Sequence, residues 1–127
     1  MVKKKSYTLT ETAEWDFREA RQWSRARWGE KQTKAYFFDL HNSAEYIAHH
    51  QASIAERASL VANTGLGLYP VKEHYLVYTP VNDSHIIIVA LIRQVRDVPA
   101  ILLANQFRIK REVKALQASL DTFCCKS

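Results

Sequence analysis

With 127 residues, 47% of them hydrophobic and 24% charged, the chain has the size and composition of one globular domain, which excludes disorder except at its ends. The net charge of +5 sits at those ends, with seven Lys/Arg against four acids over residues 1–29 and five against two over 102–127. Such a balance suits an acidic partner (nucleic acid, an anionic protein segment or a membrane surface) and equally suits solubility alone.

Residues 6–9 alternate β-branched and aromatic side chains as a short strand does. Thr10 suits an N-cap, with Glu11, Glu14 and Asp16 in the following turns, where carboxylates meet the positive helix end. Ala13, Phe17, Ala20 and Ser24 recur at helical spacing and predict a first helix ending at Trp28-Gly29. Gly29 permits a sharp reversal. Thr33, Tyr36, Phe37, Leu40, Ala44 and Ile47 then mark a second helix from about Glu30 to His50. The two stripes read as an antiparallel helical hairpin. From Gln51 to Asn63 the pattern is still helical but less ordered.

After this the period changes. Leu66–Tyr69, His74–Thr79 and His85–Ile92 are β-branched and aromatic. The loop Pro80–Ser84 closes the last two into a hairpin. Ile86–Ile92 lacks polar alternation, which predicts a central strand covered on both faces. This run is also far too short to span a bilayer. No apolar stretch follows the Lys-rich start, so no signal peptide is expected. Pro99 fits the first turn of a final helix. Ile109, Val113, Leu116, Leu120 and Phe123 form its apolar stripe, with Arg108, Lys110, Arg111 and Lys114 off it. Adjacent Cys124 and Cys125 build neither a disulfide framework nor a metal site, as expected of a cytosolic chain. No cofactor is expected.

Strand, helix, helix, three strands, helix describes an α+β domain over residues 1–127. It has an antiparallel sheet, an N-terminal helical hairpin packed on it and a C-terminal helix over the remainder. Four segments carry a resemblance. They are Tyr7-x-Leu9-Thr10-x-x-Ala13-x-x-Asp16-Phe17, then Trp28-Gly29-x-x-Gln32-Thr33-x-x-Tyr36-x-x-x-Leu40, then His74-Tyr-Leu-Val-Tyr78, and the strand from Ile86 that ends with Arg93, Arg96 and Asp97. Together they resemble the RelE/ParE superfamily of bacterial toxins, and its ParE branch more closely, over about residues 7–101. The tail from about 102 to 127 is an extension, open to packing on the body or to adding a partner surface.

The resemblance implies a type II toxin–antitoxin system with a cognate antitoxin as partner. A ParE-like toxin would bind and inhibit DNA gyrase. A RelE-like one would cleave mRNA on the ribosome, and a degenerate member would bind only its antitoxin or self-associate. A homodimer or a larger toxin–antitoxin assembly is compatible with each, and no membrane is involved. The chain departs from the family pattern at Gly67, where many relatives carry Arg, and at His49–Arg57, which replaces a Pro/Gly-Arg segment.

RNA cleavage needs a base, cations for the crowded phosphate and an acid for the leaving oxygen. The residues open to such a role are Arg93, Arg96, His74 and Tyr78. His74 and Tyr78 share a strand face about 13 Å apart, too far to cooperate directly, and a packed histidine is the competing reading. Arg93 and Arg96 leave the central strand and could hold an acidic partner or phosphate, or simply flank Asp97 on the surface. Arg18, Arg21 and Arg25 share a helix face that Trp28 continues, as a partner surface or a solvated face. Ile109, Val113, Leu116 and Leu120 are either core or a groove-binding surface. Trp15 and Trp23 read as packing residues. The histidines lack metal-ligand spacing.

Overall fold

The computed structural model describes residues 6–51, 66–82 and 84–124, with side chains through Ser119. Most of the segment 51–63 read as helical lies outside these residues. Strand β1 (Tyr7–Leu9) leads into helix α1 (Glu11–His49), which breaks at Gly29 into two arms, 11–28 and 30–49. Strands β2 (Gly67–Val71), β3 (His74–Asn82) and β4 (His85–Arg93) follow, then helices α2 (Val98–Ala104) and α3 (Gln106–Cys124).

Thr10 splices strand to helix. Its hydroxyl accepts from Ala13 N at 3.0 Å as the N-cap, while its own N–H donates to the Ile88 carbonyl. The break at Gly29 has φ 84° and ψ 175°, backbone that only glycine adopts without strain. The chain reverses there, so that Phe17 meets Phe37 edge-on at 6.0 Å and the Arg21 guanidinium lies 4.6 Å over the same ring. Thr33 donates its hydroxyl to the Gly29 carbonyl at 2.8 Å. The bond gives the carbonyl beside the break a side-chain donor.

The sheet order is β1-β4-β3-β2, with β2–β3 and β3–β4 antiparallel and β1 joined to β4 in parallel. The expected antiparallel sheet is therefore mixed at one edge, because the three residues of β1 carry too little pattern to reveal direction. β4 is internal and buried from Ile86 through Ile92. Its two faces feed two cores. Ile86, Ile88 and Leu91 face the helical hairpin with Tyr36, Leu40 and Ile47. Ile87, Val89, Ala90 and Ile92 face the C-terminal helices with Val98, Leu102 and Ile109. Val77 pairs with Ala90 and Tyr78 with Ile88, leaving Val89 as an extra residue. This β-bulge shifts the phase of β4, so the odd-numbered residues after it face the hairpin.

The strands run longer than their sequence pattern suggested. β2 continues through Pro70, tolerated because β2 is an edge strand. β3 continues past Pro80 to Asn82, with Val81 bulged between Pro80 and Asn82. The single final helix that was expected is two. Asp97 caps α2, accepting from Ala100 N, and Asn105 interrupts the run with φ −108°. The Asn105 side chain donates back to the Ile101 carbonyl at 2.8 Å, while its own carbonyl accepts from Ile109 N. One residue thus ends α2 and starts α3. Thr12 in the first turn of α1 donates to both oxygens of Glu112, from its N–H at 3.2 Å and its hydroxyl at 2.8 Å, and this clasps α3 onto α1.

Among the described residues no helix is long and apolar enough to cross a membrane, and no three His, Cys, Asp or Glu side chains gather as metal ligands.

Candidate functional site: an arginine cleft beside Trp23

Because of the bulge at Val89, Arg93 leaves β4 on the hairpin side. Its guanidinium carbon lies 4.5 Å over the Trp23 ring, and Arg27 approaches the same ring at 4.9 Å. Trp23 is braced edge-on by Trp28 at 5.1 Å and by His74 at 5.9 Å. A guanidinium stacked on an indole keeps its in-plane N–H groups free for other partners. The Arg93 Nε is buried and has no hydrogen-bond partner among the described residues.

His74 pairs with Arg93 in the sheet register and is only 3% exposed. The Tyr36 hydroxyl donates to the Val71 carbonyl at 3.1 Å and also bonds His74 Nδ1. With the phenolic proton on Val71, Nδ1–H is the donor to Tyr36 and the ring is neutral. Burial, helped by the charge of Arg93, lowers the His74 pKa to about 4. Burial likewise raises Tyr36 above its ordinary value, so its hydroxyl keeps its proton.

A cleft of about 470 Å³ opens between the first arm of α1 and the C-terminal helices. Arg93, Arg96 and Arg108 line it together with Asp16 and Glu19, over an apolar floor that includes Leu102 and Ile109. Asp16 accepts from Leu91 N at 3.2 Å. Its pKa rises to about 6, chiefly through burial, against the pull of that hydrogen bond and with Glu112 and Glu19 adding repulsion. A second cleft of about 340 Å³ adjoins it, sharing Thr12, Trp15 and Arg108 and adding Arg18 and Arg111. Trp15, 57% exposed, stands between the two.

The profile of the ParE toxin of type II toxin–antitoxin systems, parDE, matches residues 7–98. The chain belongs to the ParE toxin family. A solved structure titled as the chromosomal ParDE TA system from P. aeruginosa has a similar fold. Its TM-score is 0.51 at 15% identity, covering 69% of this chain and 94% of that one. A search of curated proteins finds no match.

The family match ends at residue 98, so this ParE-family toxin builds its cleft from two sources. Trp23, Asp16, Arg93 and Arg96 lie within the matched region, and Arg108 comes from the helix beyond it. Of the residues singled out in the sequence, the fold brings Arg93, Arg96 and His74 together. Tyr78 is apart, 5% exposed in the hairpin-side core. Its ring fills the space over Gly67, where an added Cβ would come within 2.5 Å of it. The Gly67 that departs from the family pattern therefore makes room for Tyr78.

The helical row disperses into separate contacts. Arg18 approaches the Trp15 ring at 5.7 Å, Arg21 covers Phe37, and Arg25 pairs with Glu30 at 2.8 Å. Trp28 turns inward, edge-on to Tyr36 at 6.1 Å. On α3, Ile109 is buried, and Val113 and Leu116 pack half-buried beside it. The side chain of Leu120 lies outside the described residues.

Trp23, Asp16 and Arg108 are cleft residues that the sequence did not single out. Trp23 read as packing, Asp16 as a charge in an early helical turn, and Arg108 as an off-stripe cation. The signal for Arg108 was its place at the start of a basic cluster.

Proposed function

We propose that this type II toxin arrests growth by binding DNA gyrase through protein–protein contact in the cytoplasm, and that a cognate antitoxin neutralises it. The observation that carries the reading is the state of His74. A general base works best with a pKa near the working pH and a free lone pair at the substrate. This histidine is packed between Tyr36 and Trp23, almost wholly buried at the edge of the cleft, with a pKa near 4. Tyr78 is committed to packing and Gly67 offers no side chain. Of the residues named for RNA cleavage, Arg93 and Arg96 remain, and arginines bind and stabilise anions but do not take protons at physiological pH.

The test is supercoiling by purified gyrase with and without the purified toxin. Inhibition, with induction of the DNA-damage response in cells and no new mRNA ends, supports the reading. Intact supercoiling at a large excess of toxin overturns it.

One observation favours a second reading, ribosome-dependent mRNA cleavage: Arg93, Arg96 and His74 do share one cleft. Under that reading ribosome-bound mRNA acquires new ends, and replacing Arg93 and Arg96 with Gln abolishes them.

A further inference from the structure

We infer that the cleft between the first arm of α1 and α3 is a clamp for the carboxylate side chains of an acidic peptide segment, supplied by the antitoxin. Only the identity of the supplier rests on the toxin–antitoxin reading. Arg93 is oriented by its stack on Trp23 and holds a buried Nε with no partner. Arg96 follows in a turn closed by its N–H donating to the Arg93 carbonyl at 3.0 Å. Arg108 is brought in by α3, which the Thr12–Glu112 hydrogen bonds fix against α1. Among the described residues none of these three arginines pairs with a carboxylate. Of the acids nearby, Asp16 accepts from Leu91 N and Glu112 from Thr12, while Glu19 stands in the wall without pairing to any of the three. Three arginines that line one space and form no ion pair among the described residues match a carboxylate, whose two oxygens fit the guanidinium fork.

The remaining lining selects a peptide over a nucleic acid. Asp16 and Glu19 form part of the wall, and a polyphosphate backbone laid along it would face both carboxylates. A peptide can place isolated acids at the arginines and aliphatic side chains over Leu102 and Ile109. The exposed indole of Trp15 stands ready at the lip for an apolar neighbour.

The test uses the full-length protein and short synthetic probes, followed by NMR at the Trp23 indole N–H and the Arg93 Nε–H. The probes are the acetylated, amidated peptide Leu-Glu-Glu-Leu, its Leu-Gln-Gln-Leu counterpart, inorganic phosphate and the dinucleotide UpU. The glutamate peptide should shift both signals saturably, and its glutamine counterpart should bind at least about tenfold more weakly, as loss of charge-assisted bonds implies. Arg108→Gln, exposed and outside both cores, should weaken the glutamate peptide by a similar factor with an unchanged melting temperature. Equal binding of the two peptides, tighter binding of phosphate or UpU, or unmoved signals with all four probes would overturn the inference. Gyrase does not enter this experiment, so the clamp and the gyrase reading fail separately.

Discussion

Replacing Gly29 with Ala isolates a single backbone term. No atom lies within 4 Å of where the new Cβ would sit, so no clash contributes. What remains is the conformation, φ 84° and ψ 175°, a region that costs a residue with a Cβ about 1–3 kcal/mol. The stiffer unfolded chain returns about 0.4–1 kcal/mol, leaving a net loss of about 1–2 kcal/mol. With a urea m-value of about 2 kcal/mol/M, the middle of the range for a small protein, the midpoint should fall by roughly 0.5–1 M at unchanged m. Gly29→Asn sharpens the test. Asparagine tolerates the left-handed helical region, where ψ is near +47°, but gains nothing at ψ 175°. It should lose about as much as alanine. An asparagine variant as stable as the native chain, or an alanine variant with an unmoved midpoint, would refute the reasoning.

Three further expectations concern buried groups. Asp16 is raised to about 6 in the fold, so the native state holds its proton more tightly than the unfolded chain and this group's contribution declines as pH rises from about 4 to 6. Asp16→Asn, which keeps an acceptor for Leu91 N, should match the native chain at pH 3.5 and exceed it by up to about 2 kcal/mol at pH 7.5, with screening already discounted. His74 has the opposite sign: lowered to about 4, it contributes stability that is intact above pH 6.5 and lost as pH falls through 4. In the Asp16→Asn background, the unfolding free energy from urea titration should therefore drop over pH 6.5 to 4 by an amount on the order of 2 kcal/mol, a fall that Asp16 masks in the native chain. Gly67→Ala, whose methyl would meet the Tyr78 ring at 2.5 Å, should cost about 1–3 kcal/mol. Most of this should return in a Gly67→Ala/Tyr78→Leu double variant, measured by the same urea titration.

The helical hairpin was legible because Gly29 stands between two stripes whose residues recur at three and four. The central strand was legible because seven consecutive apolar residues need cover on both sides. That same uniformity concealed the bulge at Val89. A run with no polar member has no phase, so the face taken by Arg93 could not be assigned, and the cleft with it. Asn105 escaped notice for a related reason: the apolar spacing of the final stripe continues across it, while the break depends on its side chain bonding Ile101. Tyr78 and His74 suggested chemistry only while their partners were unknown. Gly67 and Tyr36, both distant in sequence, decide that they pack. Trp23 owes its place in the cleft to the arginine arriving from β4, a contact that no local pattern encodes.

The pairing of β1 with β4 has a consequence in time. Thr10 reaches Val89 across 79 residues, so the strand made first by the ribosome waits for the strand made nearly last. The two arms of α1 can close on each other early, since their contacts are near in sequence. The sheet beneath them cannot assemble until β4 has left the exit tunnel. Translation halted before residue 86 leaves the helical arms and the β2–β3 pair without the strand that supplies both cores, and such a fragment should be degraded as fast as an unfolded chain in a pulse-labelled, arrested lysate.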